Sequence, residues 1–198
     1  MKKERKNQRL AEQLTVDEIR RELDRTQYRR RFHAALRGTV FTLVVAAAIA
    51  ILVATLLLPV LRTYGMSMSP TLQDGDLVVS VKTSSAERGD IIAFYYNNKI
   101  LIKRVIALSG EWIDVDADGT VFINNVPLEE PYVSEPALGE CTIKLPYQVP
   151  DNRLFVMGDH RATSVDSRSI EIGCVSEEQI VGKLVFKIWP LNDAGEIK

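Results

Sequence analysis

Histidine is scarce in this chain, with two residues among 198, and cysteine is equally scarce, again with two. The first scarcity confines any histidine chemistry to His33 or His160. No Cys-x-x-Cys pair or Cys/His cluster occurs, so nothing suggests a bound metal, and no cofactor is expected. Cys141 and Cys174 permit one intramolecular pairing, and the sequence leaves open whether it forms or both remain free thiols. No internal repeat or low-complexity tract is present. No finger, basic zipper or arginine–aromatic pattern accompanies the basic residues, which argues against a nucleic-acid partner.

Net charge is also nearly missing, at −1, but the total hides an asymmetry. Residues 1–37 hold twelve Lys/Arg against six Asp/Glu, so the remainder is net acidic by seven. Between Arg37 and Arg62 lie 24 residues without a charge, among them Val40-Phe41-Thr42-Leu43-Val44-Val45-Ala46-Ala47-Ala48-Ile49-Ala50-Ile51-Leu52. A helix needs about 20 apolar residues to cross the hydrocarbon layer, and this run is long enough. A cleaved signal peptide would carry a shorter apolar region, about 7–15 residues, behind a shorter basic lead-in. The run is read as an uncleaved anchor. Arg29, Arg30, Arg31 and Arg37 crowd its N-terminal side while Arg62 stands alone on the other. The positive-inside rule then leaves residues 1–37 in the cytoplasm, 38–61 in the membrane and 62–198 outside it.

The cytoplasmic segment is expected to contain a short helix, opened by a capping box at Thr15-Val16-Asp17-Glu18 with Leu14 and Ile19 as its hydrophobic staple. Its basic end suits anionic lipid headgroups. Beyond the anchor the pattern changes to period two with β-branched residues. Segments 77–81, 90–96, 100–108, 154–157 and 184–188 read as strands, and 111–115 with 120–123 as a hairpin closed through Asp116-Ala117-Asp118-Gly119. The fold class is therefore a mainly β exodomain of barrel or sandwich type behind one transmembrane helix. Residues 127–150 are Pro-rich and read as a surface excursion.

Three stretches can carry chemistry. The first, Gly65-Met66-Ser67-Met68-Ser69-Pro70-Thr71-Leu72, follows the anchor closely. Such a stretch is by itself an ordinary turn, but it also offers Ser67 as a nucleophile near the membrane face. A serine hydroxyl needs a base. His33 lies across the membrane, so among histidines only His160 remains, and a Ser67–His160–Asp triad stays open. Lysine is the other candidate. Lys103 stands in the most apolar strand, and Arg104 alternates to the opposite face; alternation alone does not say which of the two points inward. Burial would lower a lysine pKa from about 10.4 towards the range a base requires. The third stretch, Gly158-Asp159-His160-Arg161-Ala162-Thr163-Ser164-Val165-Asp166-Ser167-Arg168, is dense in hydroxyls and acid–base pairs.

Together the three stretches resemble those of bacterial type I signal peptidases, membrane-bound serine–lysine proteases that remove signal peptides from exported proteins. Ser67 through Leu72 is similar to the family's nucleophile box and Lys103-Arg104 to its general base and neighbour. Gly158 through Arg168 is similar to its Gly-Asp-Asn-Arg…Ser-x-Asp-Ser-Arg box. The resemblance implies a signal-peptidase-like fold and an endopeptidase acting at small-x-small sites. It implies Ser67 as nucleophile, Lys103 as base and Ser164 as the hydroxyl that orients the lysine. Asp166 and Arg168 match a structural ion pair, with Asp159 supporting the same loop. Met68, Leu101 and Ile102 match positions lining shallow substrate pockets. Signal-peptide-bearing preproteins, membrane lipid and proximity to the export machinery are the implied partners. Two positions depart from the pattern. His160 stands where the box usually has Asn, and Gly65 stands where some members carry a hydroxyl in the oxyanion site. The single anchor and small exodomain resemble the Gram-positive form. Competing readings are a self-cleaving repressor-type protease, a dedicated-substrate peptidase and an inactive scaffold.

Overall fold

The computed structural model describes residues 16–83 and 85–197. The chain divides into two compact units, residues 1–53 and 54–198. The first contains most of one helix, α1 (Val16–Leu57), 42 residues long. The capping residues Leu14 and Thr15 lie outside the described residues. Where the sequence suggested a short cytoplasmic helix and a separate anchor, the structure runs them together. Residue 37 marks a change of composition, not of backbone preference. No proline interrupts the stretch, and a single glycine, Gly38, weakens a helix by only about 1 kcal/mol. The helix ends two residues before Pro59, whose ring disfavours helical backbone in the residue it follows.

Within Ile19–Val53 the apolar half is long enough to cross a membrane. Phe41, Leu43, Val44, Ile49 and Ile51 are all more than half exposed, so large apolar side chains stand out on every face. That distribution suits lipid rather than water. Thr39 and Thr42 return their hydroxyls to the carbonyls of Ala35 and Gly38, which satisfies them without a partner helix.

The second unit is built, among its described residues, from twelve strands in two sheets. The strands are β1 (Val60–Arg62), β2 (Leu77–Val81), β3 (Ile91–Tyr96), β4 (Lys99–Ala107), β5 (Trp112–Val115), β6 (Val121–Ile123) and β7 (Val126–Pro127). They continue as β8 (Tyr147–Gln148), β9 (Arg153–Met157), β10 (Val175–Ser176), β11 (Ile180–Trp189) and β12 (Gly195–Glu196). The larger sheet runs β1-β2-β11-β3-β4-β9-β10, with β12 added to β11; the smaller runs β7-β6-β5-β8. The hairpin expected through 116–119 forms as β5–β6, pairing Ile113 with Ile123 and Val115 with Val121.

Three apolar clusters hold the unit together. One, around Ile106, Ile113, Val121, Phe155 and Met157, combines residues of both sheets. The others pack Met68, Leu72, Val78, Ile91 and Leu184, and Ile92, Phe94, Val105, Val156 and Val175. Ile91 to Phe94 and Lys103 to Ala107 are buried at every successive residue, so β3 and β4 are covered on both faces. The consequence for the site is direct. Lys103 and Arg104 alternate as the sequence suggests, yet both are buried, at 4% and 1% exposure.

Candidate active site

The segment between β1 and β2 forms a closed loop that carries Ser67. Its ends are tied by Thr63 N–H to Asp76 O at 2.9 Å and Gly75 N–H to Thr63 O at 3.0 Å. Inside it, Ser69 N–H donates to Met66 O and Leu72 N–H to Met68 O. Gly65 has φ +82°, a left-handed conformation that glycine adopts without strain, and its N–H is held by Asp74 Oδ1 at 2.8 Å. These bonds fix the turn from which Ser67 projects, while Met68 and Leu72 anchor it in the core.

Lys103 reaches this turn from β4, with Nζ 2.7 Å from Ser67 Oγ. Burial among aliphatic neighbours lowers its pKa to about 8, with Arg168 adding to the effect and Asp166 and Asp159 opposing it. His160 does not compete for this contact. Its Nδ1 lies 2.7 Å from Thr163 Oγ1, and its backbone N–H donates to Ser67 O. His33 lies on α1 with its ring against Phe32.

The 158–168 loop packs directly on the Ser67 turn. A Cβ on Gly158 would fall 2.4 Å from Ser67 O and 2.3 Å from Ser164 Oγ, so glycine is required by proximity. Ser164 is buried, and among the described residues its Oγ has no hydrogen-bond partner, Lys103 included. Asp166 and Arg168 form a bidentate pair, both distances 2.8 Å, with neither side chain exposed. Arg168 also donates to Leu138 O, Arg161 O and Ser164 O, and Asp166 accepts from Gly158 N–H. Asp159 turns away from its own loop. It takes both arms of Arg104, at 2.9 and 2.7 Å, and accepts the Thr71 hydroxyl at 2.5 Å. Adjacent residues of β4 therefore grip the two ends of one segment, Lys103 at Ser67 and Arg104, through Asp159, at Thr71.

No sequence motif marks Glu130 or Tyr132. Glu130 accepts from Arg161 at 2.9 and 2.5 Å and from Tyr132, whose ring lies 3.8 Å beneath the Arg104 guanidinium. An acid in a Pro-rich excursion looks solvated, and no motif marked it otherwise.

A cavity of about 600 Å³ opens beside Ser67, lined by Leu61, Thr63, Tyr64, Met68, Leu101, Ile102 and Lys103 among others. Met68, Leu101 and Ile102 thus share one apolar wall with the Ser67–Lys103 contact. β4 pairs with β3 along Lys99–Arg104 but with β9 only from Arg104 onward. Its other edge is free of strand partners along the cavity, among the described residues. Among the same residues no acid, histidine or cysteine cluster suited to a metal occurs. Cys141 and Cys174 are both free thiols.

Residues 36–189 match the family described as signal peptidase, peptidase S26. Signal peptidase IB of Staphylococcus aureus is 32% identical, over 78% of this chain and 90% of its own. Thylakoidal processing peptidase 1 of Arabidopsis thaliana is 38% identical over 63% of this chain, which spans 40% of that protein's length. A crystal structure of a signal peptidase I from Enterococcus faecalis is 32% identical and covers 50% of this chain and 97% of that one, with a TM-score of 0.42. The match begins inside α1 and runs through both the Ser67 turn and the 158–168 loop: this chain belongs to the signal peptidase family, peptidase S26.

Proposed function

We propose that this signal peptidase cleaves preproteins with a Ser67–Lys103 dyad, and the observation that carries the reading is the 2.7 Å contact between Lys103 Nζ and Ser67 Oγ within a buried setting. With a pKa of about 8, about one lysine in ten is neutral at pH 7, against about one in 2,500 for an unperturbed side chain. The neutral amine accepts the Ser67 proton as Oγ attacks the scissile carbonyl carbon. The resulting ammonium returns that proton to the leaving amine, leaving an acyl-enzyme. Lys103, neutral again, takes a proton from the water that attacks the ester and delivers it to Ser67 Oγ as the Oγ–acyl bond breaks and the carboxylic acid product leaves.

Ser164 is the residue we assign to orient the amine. Its buried hydroxyl has no partner among the described residues, and a buried hydroxyl without a partner carries a cost that a new bond removes. The Ser67 backbone N–H is assigned to the oxyanion. Gly65 offers no hydroxyl and its N–H is committed to Asp74, so it adds nothing there. Asp159, Asp166 and Arg168 hold the walls of the site through the ion pairs described.

The substrate enters as an extended strand along the free edge of β4, where backbone hydrogen bonds give affinity and shallow pockets choose side chains. Met68, Leu101 and Ile102 supply an apolar floor that accepts alanine-sized groups. The apolar helix is assigned as the anchor, basic end in the cytoplasm and catalytic unit outside, by the positive-inside rule. That location brings the chain to lipid and close to the export machinery. The test of the dyad is a pair of lysine variants. Lys103→Ala and Lys103→His are each expected to yield folded protein with cleavage reduced below detection; substantial turnover in either removes lysine from the mechanism.

A further inference from the structure

Among the described residues, Lys187 is a buried cation that the reaction above leaves without a part, as it does Arg161. It stands near the end of β11, 6% exposed. A lysine ammonium has three N–H donors and no acceptor. Here it has three partners: Thr71 O at 3.1 Å, Asp76 Oδ2 at 3.1 Å and Asp193 Oδ2 at 2.7 Å. Asp76 is buried and closes the end of the nucleophile loop, and its Oδ2 also accepts Gln73 N–H at 2.9 Å. Asp193 lies on the 3-10 turn Leu191–Asp193 and is 62% exposed. Burial opposes the charge of Lys187, but Asp193 and Asp76 outweigh it and raise the pKa. The two buried lysines are therefore driven in opposite directions, Lys103 towards the free amine and Lys187 towards the ammonium.

Thr71 joins the two networks. Its carbonyl is held by Lys187, and its hydroxyl by Asp159, which Arg104 holds in turn. Leu72 N–H, the next donor along, reaches back to Met68 O beside Ser67. The nucleophile turn is thus fastened to β4 at one atom of Thr71 and to β11 at another. Lys187 does not line the cavity beside Ser67.

We propose that Lys187 is a positioning residue, which fixes the separation of Ser67 from Lys103 by holding the Thr71 carbonyl and the Asp76 carboxylate to β11. The inference rests on the dyad reading. Without the ammonium, the buried Asp76 carboxylate faces the Thr71 carbonyl with nothing between them to attract both, and the turn relaxes. A displacement of about 1 Å at a nucleophile costs up to about a hundredfold in rate. Because Lys187 stands clear of the cavity, substrate binding is unaffected.

The experiment uses the full chain in detergent with a preprotein bearing an Ala-x-Ala site, and reads kcat, KM, the pH profile and thermal stability. Lys187→Met is expected to lower kcat about ten- to hundredfold, with KM within about twofold of wild type and the acid limb of the profile unmoved. The double variant Lys187→Met/Asp76→Asn removes the stranded carboxylate; it is expected to recover thermal stability but not kcat. It also decides the matter should Lys187→Met not fold. A kcat within about twofold of wild type in either folded variant, or full recovery of kcat in the double variant, overturns the inference. Ser67→Ala run alongside separates the two levels: cleavage by that variant defeats the dyad reading itself, whatever Lys187 does.

Discussion

Among single residues, the proposed chemistry depends on how far Lys103 departs from an ordinary lysine. The proposed dyad requires the neutral amine, so kcat/KM should climb about tenfold per pH unit below about 8 and level off above it. A flat profile from pH 6 to 9 would remove Lys103 as the base. The same shift predicts a stability effect of definite sign. The folded-state pKa, about 8, lies below the unfolded value of 10.5. Below about pH 8 both states hold the proton and the cost of burying it is felt in full. The cost is relieved as pH rises from about 8 to about 10.5, where the unfolded state binds more protons. Lys103→Met should therefore stabilise the protein by about 3 kcal/mol at neutral pH, with the gain shrinking towards pH 10 in thermal or denaturant unfolding. The sequence could propose this lysine but could not orient it. Alternation separates Lys103 from Arg104 without revealing that both faces of β4 are covered. Arg104 is buried because Asp159, brought from 55 residues away, takes its charge.

Elements explain why the 158–168 loop is so polar and yet so deeply placed. Its acid–base spacings were legible, and Asp166–Arg168 pairs within the loop as that spacing suggests. The direction of Asp159 was not, since its partner is on another strand. Arg168 donates at every side of its guanidinium while wholly buried. Arg168→Met leaves Asp166 charged and unpaired in that setting, a change that costs about 3–5 kcal/mol. The expected result is a lowered midpoint of unfolding together with lost activity; an unchanged midpoint would show the pair to be dispensable. The long strands are legible in the sequence as runs of β-branched and apolar residues between turn signals. β1, β7, β8, β10 and β12 are two or three residues long and carry no period to read. The excursion over 127–150 likewise gave no sign that Glu130 and Tyr132 turn back onto buried arginines.

Over the whole molecule, one unit is, in its described residues, a helix with its apolar side chains exposed and the other a β domain with its own cores. The change of composition at residue 37 was visible; the continuity of the helix through it was not, because charge pattern and helix propensity are independent. Removing residues 1–53 should leave a folded unit, since none of the three core clusters draws on them. That truncated chain should cleave a short soluble Ala-x-Ala peptide at a rate within a few-fold of the full chain. Against a preprotein in lipid vesicles it should be at least about tenfold slower, because anchoring supplies effective concentration. Equal rates on vesicles would show that the helix contributes nothing to substrate encounter.

In the proposed reaction Ser67 attacks the peptide bond of a preprotein. The most direct measurement compares detergent-solubilised wild type with Ser67→Ala on a preprotein carrying an Ala-x-Ala site, reading the products by mass. The expected result is cleavage after the final Ala by wild type and none by a folded Ser67→Ala. Cleavage at the same bond by both proteins would contradict it.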